Sequence, residues 1–393
     1  MSAEVDSAGS VPEFYQVQRA RRAIAWAWLI LVCALLAVQT IARAERPGGI
    51  DLTSYLLSAG ALARHASPYR LATPFPYLYP PTLAFLLIPL TPLPRVAVVG
   101  LWFALGALCA IWSVRSTLIA ARPELARRPD ETAVFVAVFL TFFFTVVQSN
   151  LRNGQVNFPV LALCVMAALK GPPDIRLASA SGARSAIAWS LAIAIKIVPL
   201  ALAPYFLLRR RWIWLLGAAG CLIILLMSPA VLVGSRIVDM YEEYWRVFLS
   251  SSFTRAQPLD FSVAGAMAWT LGVRVAPAVR FAVAIAVVIA VAWMDLRRTR
   301  RRDPEAFAAY LLAIPLVSPQ SEVHHLAFAF PAAVVAASDW WHGAARGAAF
   351  RTTCVIAAAS YVLATIVTAA AGPLLCAFLI SLAAAVIMVT RPQ

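Results

Sequence analysis

Charge is scarce in this sequence. Only 13% of its 393 residues are Asp, Glu, Lys or Arg, while 62% are hydrophobic; a soluble domain carries about 25% charged residues. A chain this apolar does not stay in water as a large monomer. Lysine is nearly absent, with Lys170 and Lys196 the only two. The six cysteines, Cys33, Cys109, Cys164, Cys221, Cys354 and Cys376, all lie inside apolar runs, and none forms a CxxC pair. That excludes a disulfide framework and a cysteine-built zinc site. There are four histidines, and no HExxH or DxD-like motif accompanies them, so no metal or other cofactor is expected. The net charge of +15 does not imply nucleic acid. The basic residues sit in short clusters between apolar runs, as cytoplasmic loops do, and no segment offers a contiguous basic face with base-reading residues.

What the sequence does have is a succession of long apolar runs. They predict an all-α integral membrane protein with about 10–12 membrane segments, at roughly 20 residues per spanning helix. The expected runs are 24–41, 96–114, 133–148, 158–169, 185–208, 212–233, 261–271, 278–294, 306–317, 325–338, 354–370 and 374–390. Residues 1–23 read as a cytoplasmic tail, 24–390 as a single membrane domain, and 43–94 as an outer loop with interfacial helices. Arg and Lys are more numerous on the side of the N-terminus, as the positive-inside bias requires. Ala42-Arg43-Ala44 looks like a signal-peptide cleavage site, but the apolar run before it is long and many more follow, so no cleavage is expected. The preference for Arg over Lys suggests a bacterial source, and hence the bacterial plasma membrane. Residues 185–208 are of spanning length yet have basic loops at both ends, with Lys196 and Pro199 in the middle. A re-entrant hairpin, 186–195 then 199–208, reconciles these facts, because broken helices are tolerated where they line a protein cavity.

The polar residues gather on the outer side. Asp51 follows two glycines and precedes Leu52, Tyr55, Leu56, Ala59 and Leu62, an apolar face at helical spacing that suits a surface helix. Asp51 reads equally as the N-cap of that helix or as a general base at the membrane rim. Tyr77 and Tyr79, in a proline-rich stretch that cannot continue as helix, read as interface anchors or as walls of a sugar or lipid groove. Asn150, Arg152, Asn153, Gln155 and Asn157 form a polar turn, either solvated or holding hydroxyls and phosphate. Lys196 lies deep in its apolar run, where a charge costs about 2.5–3.5 kcal/mol on insertion scales; a partner for an anion such as phosphate explains it better than snorkelling does. Tyr241, Tyr244, Trp245 and Phe248 share one face of an amphipathic surface helix. Last comes Ser318-Pro319-Gln320-Ser321-Glu322-Val323-His324-His325, with two of the four histidines. Adjacent helical residues point about 100° apart and rarely chelate one ion, so His324 and His325 read as hydrogen-bonding groups for phosphate or hydroxyl.

The order of these pieces is similar to that of a known family. An early Asp51 is followed by Tyr79-Pro80-Pro81, Asn153-Gly154-Gln155-Val156-Asn157, Lys196-Ile197-Val198-Pro199, Arg209-Arg210-Arg211-Trp212, and the Ser318–His325 stretch. This resembles the glycosyltransferase family 87 proteins of the GT-C superfamily over roughly residues 15–340. That family includes polyprenol-phosphate-mannose-dependent mannosyltransferases and related arabinosyltransferases. The resemblance implies a GT-C-like multi-span helical bundle, a polyprenyl-phosphate-linked sugar as donor, with mannose foremost, and a lipid-linked glycan or glycolipid as acceptor. It implies that Asp51 is the catalytic base of an inverting transfer. Tyr79, Arg152, Asn153, Gln155, Lys196, His324 and His325 would bind substrate and phosphate. Glu322 departs from the pattern, standing where a bulky aromatic residue is expected in close relatives. A transporter or lipid flippase is the alternative. It too would use broken helices and a mid-membrane lysine, but it should carry repeat symmetry and charges along a path to the cytoplasm.

Overall fold

The computed structural model describes residues 10–169, 179–253, 260–272, 275–297, 303–318, 321–341, 347–367 and 371–390. Lys170, Arg176, Arg298, Arg300–Arg302, Pro319, Gln320 and Arg391–Gln393 lie outside them, as do residues 368–370 at the end of one expected span. The described residues form helices joined by turns and loops, with no β-strand among them.

The helices are α1 Ser10–Ala44, α2 Asp51–Ala63, α3 Pro81–Leu87, α4 Arg95–Ala121, α5 Pro129–Phe142 and α6 Phe144–Asn153. They continue as α7 Asn157–Leu169, α8 Ala180–Ile195, α9 Ala203–Leu208, α10 Trp212–Met227, α11 Ala230–Val233 and α12 Ile237–Phe253. The last are α13 Val263–Leu271, α14 Pro277–Leu296, α15 Asp303–Val317, α16 Phe330–Trp341, α17 Ala348–Ile366 and α18 Ala371–Thr390. Among the described residues, 6 helices are long and apolar enough to cross a membrane, or up to 7 if the bent pair α5–α6 counts as one span. The remaining apolar runs form shorter helices. Those of α7, α15 and α16 are buried along most of their length. The apolar helices α1, α10, α14 and α17 instead turn large apolar side chains such as Ile30, Ile213, Ile289 and Ile366 outward. The chain is a multi-pass membrane protein of helices packed around a helical core.

Three features differ in detail from the sequence reading. The run 133–148 is not one straight span: it breaks at Phe143 and turns by 76° into α6. Aromatic contacts of Phe143 with Phe139, Phe330 and Tyr361 hold the bend. His324 and His325 do not start a spanning helix but lie on a 3-10 turn, Val323–Ala329, that precedes α16. On the surface helix α12, Tyr244 is buried, and so is Glu243 from the face expected to be polar. Glu243 accepts from Arg70 Nε at 2.7 Å and from the Ser67 hydroxyl, pinning α12 to the loop after α2. The 185–208 run, by contrast, is broken at Lys196, as expected. The Trp189 indole N–H donates to the Pro199 carbonyl at 3.1 Å, and its ring lies 5.0 Å from that of Phe206. In a continuous helix ten residues span about 15 Å, so the chain doubles back after Lys196. Arg209, at the far end of this hairpin, pairs with Asp295 at 2.9 Å and Asp303 at 2.8 Å.

Candidate active site

Asp51 is the first residue of α2, and Ile50, not Asp51, occupies the N-cap with extended backbone (φ −133°, ψ 172°). The Ile50 N–H is satisfied by the Thr53 hydroxyl at 3.1 Å, and Arg95 donates to the same hydroxyl at 3.0 Å. The capping reading of Asp51 therefore fails. Its carboxylate points elsewhere: Oδ2 accepts from the Gln155 side-chain amide at 2.6 Å.

Gln155 reaches Asp51 because of Gly154. That glycine ends α6 in the left-handed region (φ +67°), where a side chain is strained. A Cβ there would also come within 2.8 Å of Leu52 Cβ. The bare backbone thus lets the end of α6 seat against the first turn of α2. The Trp102 indole N–H donates to the Gly154 carbonyl at 2.9 Å and fixes the turn from α4.

The other face of the Gln155 amide meets two phenols. Tyr55 donates to Tyr79 at 2.8 Å, and Tyr79 donates to Gln155 Oε1 at 3.3 Å. Tyr77 and Tyr79 are buried, so they are not interface anchors; with Tyr55 and Tyr69 they make a packed aromatic wall. Burial holds the Tyr55 and Tyr79 hydroxyls above the ordinary phenol range, so they act as hydrogen-bonding groups and not as bases.

Beyond the Tyr79 ring lies Lys196, its Nζ 5.8 Å from the ring centroid. Lys196 donates to Asn157 Oδ1 at 2.8 Å and lies 3.0 Å from His325 Nε2. It does not snorkel. The break after α8 delivers it to this cluster. His325 Nδ1 accepts from the Glu322 N–H at 3.1 Å. The His324 carbonyl takes the amides of Asn150 at 2.9 Å and Asn157 at 3.1 Å, and Asn157 also donates to Asn150 Oδ1 at 3.0 Å. The two imidazoles lie 4.3 Å apart. Asn150, Gln155 and Asn157 are all buried, so the amide turn is not a solvated one. Glu322 stands at the rim, partly exposed, 3.7 Å from His324 Nδ1.

Of the residues singled out in the sequence, Asp51, Tyr79, Gln155, Lys196, His324 and His325 therefore come together. Arg152 and Asn153 sit on the last turn of α6 without a hydrogen bond to this cluster. Three further members complete the cluster. Tyr55 carries a signal, being four residues after Asp51 and so on the same helical face. Asn150 and Asn157 lie within the polar turn, yet nothing in the sequence ranks them above their neighbours. Among the described residues, no three His, Cys, Asp or Glu side chains are placed to share a metal ion.

The electrostatics are those of a partly desolvated acid beside cations. Burial raises the Asp51 carboxyl from its ordinary range to about 6. The Gln155 hydrogen bond opposes this, Glu322 adds to it, and Lys196 and Arg43 oppose it. A carboxylate so tuned is ionised at neutral pH yet more basic than a surface Asp.

Comparison with known proteins agrees with this architecture. The family model for glycosyltransferase family 87 matches residues 77–319. The match takes in Tyr79, Gln155 and Lys196 but begins after Asp51 and ends before His324. The chain is 27% identical over 348 residues to a polyprenol-phosphate-mannose-dependent alpha-(1-2)-phosphatidylinositol mannoside mannosyltransferase of Mycobacterium tuberculosis, covering 81% of this chain and 77% of that protein. A protein of the same description from Mycolicibacterium smegmatis is 27% identical over 291 residues, covering 67% of this chain and 62% of the relative, less than two thirds of its length. With the family match extending over more than half of its residues, this all-helical, multi-pass membrane chain belongs to glycosyltransferase family 87.

Proposed function

We propose that the protein transfers a sugar, mannose in the first instance, from a polyprenyl-phosphate donor to a hydroxyl of a lipid-linked glycan or glycolipid, with inversion at the anomeric carbon. The observation that carries this reading is a carboxylate and a cation–imidazole pair gathered at Tyr79: Asp51 is linked to the Tyr79 hydroxyl through Gln155, and Lys196, paired with His325, lies 5.8 Å from the centroid of the Tyr79 ring. A polyprenyl phosphate is already a competent leaving group, so the donor needs little acid assistance. The reaction needs a base for the acceptor hydroxyl and donors for the charge that gathers on the departing phosphate.

Asp51 is the base. Gln155 holds Oδ2, leaving Oδ1 to take the hydroxyl proton as the acceptor oxygen attacks the anomeric carbon. The new C–O bond forms as the bond from that carbon to the phosphate oxygen breaks, and the electron pair leaves with the phosphate. Lys196 and the two histidines hold that phosphate. Tyr55 and Tyr79 fix the Gln155 amide so that it donates to Asp51, and the aromatic wall offers faces to the sugar. The relatives are named for a polyprenol-phosphate-mannose donor and a phosphatidylinositol mannoside acceptor, which supports a lipid donor and a lipid acceptor here. The positive-inside bias puts the site on the extracytoplasmic side.

The test is sugar transfer in nanodiscs, with radiolabelled polyprenyl-phosphate-mannose and a lipid extract. Wild type is expected to transfer label, and a folded Asp51→Asn variant to lose at least the general-base contribution, on the order of 10²–10⁴-fold. Label uptake without product, by proteoliposomes that take in the donor unchanged, would overturn the reading in favour of transport.

A further inference from the structure

Asp260 is a carboxylate for which the transfer chemistry has no use, and it is 2% exposed. Its Oδ1 accepts from the N–H groups of Ser262 and Ser321, both at 3.0 Å, and its Oδ2 meets Nη1 of Arg280 at 3.0 Å. The Phe261 N–H reaches the Ser321 carbonyl at 3.4 Å. Ser262 caps α13 by accepting the Gly265 N–H at 3.0 Å. Gly265 makes room for the carboxylate, since a Cβ there would lie 2.3 Å from Asp260 Cγ. Arg280 stands in the first turn of α14 and is itself buried. One buried ion pair therefore joins the starts of α13 and α14 to residue 321.

Ser321 is the first described residue of the segment that carries the histidines. Its hydroxyl is also tied, donating to the Pro315 carbonyl at 2.5 Å. Three residues on, the His324 carbonyl is held by Asn150 and Asn157. Between these points the Glu322 carbonyl takes the His325 N–H at 2.7 Å, and the Glu322 N–H is given to the His325 ring. The main chain is thus fixed at both ends of a four-residue stretch, and those fixings set where both imidazoles point. A buried ion pair is by itself weak evidence for stability, because an apolar replacement is often neutral. Here the carboxylate spends two further acceptor sites on main-chain N–H groups from separate segments, one of which enters the site.

We propose that the Asp260–Arg280 pair is a positioning device for the phosphate-holding side of the site, fixing the main chain at Ser321 so that His324 and His325 meet the donor phosphate. This rests on the glycosyl-transfer reading above. Asp260 touches no substrate; it acts through Ser321.

The test uses the full chain in nanodiscs and the variants Asp260→Ala, Asp260→Asn, Arg280→Gln and the double Asp260→Asn/Arg280→Gln. The double variant keeps an oxygen for both main-chain N–H groups and a neutral hydrogen-bonded pair in place of the ionic one. Asp260→Ala is expected to lower kcat/KM for polyprenyl-phosphate-mannose on the order of 10²-fold, the effect of a misplacement of about 1 Å. The acceptor KM should stay unchanged, and inhibition by free polyprenyl phosphate should weaken in parallel. The double variant is expected to recover most of the loss seen in either neutralised single variant. The proposal is overturned if a folded Asp260→Ala keeps wild-type donor kinetics, or if donor and acceptor KM rise together. It is overturned also if the double variant, melting as wild type does, recovers nothing. Should Asp260→Ala not fold, the double variant against its singles decides. A wild type that transfers no sugar defeats the reading beneath; a wild type that transfers while the variants match it defeats this inference alone.

Discussion

The Gln155 side-chain amide donates to Asp51 Oδ2 at 2.6 Å while its oxygen accepts from Tyr79, which in turn accepts from Tyr55. The amide is thereby fixed in one orientation, and it fixes the carboxylate in turn. Gln155→Leu removes the donor and leaves Asp51 free to rotate. A hydrogen bond to a charged group contributes about 1.5–3 kcal/mol, so kcat is expected to fall by roughly 10–100-fold, at about 1.4 kcal/mol per tenfold. Steady-state transfer assays on a variant with wild-type melting check this. A change confined to KM would return Gln155 to sugar binding alone.

The raised proton affinity of Asp51 gives activity a pH dependence of definite sign. Only the ionised carboxylate accepts the acceptor's proton, so kcat/KM should rise with pH through about 6 and then level off. Stability runs the opposite way. A carboxyl whose folded value lies above its unfolded one, about 3.9, favours folding below that unfolded value. That contribution is lost as pH rises through about 6. Asp51→Asn should therefore melt above wild type at pH 8 and gain far less at pH 4, close to the unfolded value. Equal melting at both pH values would place Asp51 in a better-solvated environment than the junction of α2 and α6.

Glu322 is the second carboxylate at the site and raises the Asp51 carboxyl further. Glu322→Gln removes that charge and keeps the shape. The acid limb of kcat/KM should then move to lower pH, in a variant that still transfers sugar. An unmoved limb would show that the two carboxylates do not sense each other.

Much of this architecture is legible in the amino-acid sequence. The apolar runs announce the membrane, and in a chain so poor in charge the isolated Asp51, Lys196 and His324–His325 stand out. The break at Lys196 is legible too, because Pro199 and the basic loops constrain it. The bend at Phe143 is not. No Pro or Gly marks it, and it is held by aromatic contacts from α16 and α17, far along the chain. The role of Gln155 is half legible: its amide is visible, but its aim at Asp51 depends on Gly154 packing against Leu52. The Asp260–Arg280 pair leaves no local pattern, since its meaning lies in a third partner, Ser321, about sixty residues on.

Gly154 converts that packing into a prediction. Gly154→Ala forces a side chain into the left-handed region at a cost of about 1–2 kcal/mol. Its Cβ also meets Leu52 Cβ at 2.8 Å, a contact that backbone movement alone relieves. The relief separates the end of α6 from the start of α2, and so Gln155 from Asp51. The variant should lose both melting temperature and kcat. Leu52→Gly in the same chain should restore part of the kcat by removing the clashing Cβ, although it deletes buried apolar surface. A kcat that stays low in the double variant would mean that strain at residue 154, and not the seating of α6 on α2, sets the position of the amide.

Lys196 offers the sharpest separation of charge from shape. Its Nζ touches Asn157 and His325, and among the described residues nothing of comparable charge replaces it within the cluster. Lys196→Met keeps the length and apolar stem while deleting the donor. Loss of one preorganised donor to developing negative charge costs about 10²–10³ in kcat, and that loss is expected here with the acceptor KM unchanged. Lys196→Arg keeps a cation, but its planar fork does not fit between Asn157 and His325 as the compact ammonium does, so recovery should be partial. The decisive measurement varies the leaving group. With a donor whose lipid phosphate is replaced by a better leaving group, less charge remains to be stabilised, and the gap between wild type and Lys196→Met should narrow. A gap independent of the leaving group would assign Lys196 to holding Asn157 and His325 in place, and remove it from direct contact with the departing phosphate.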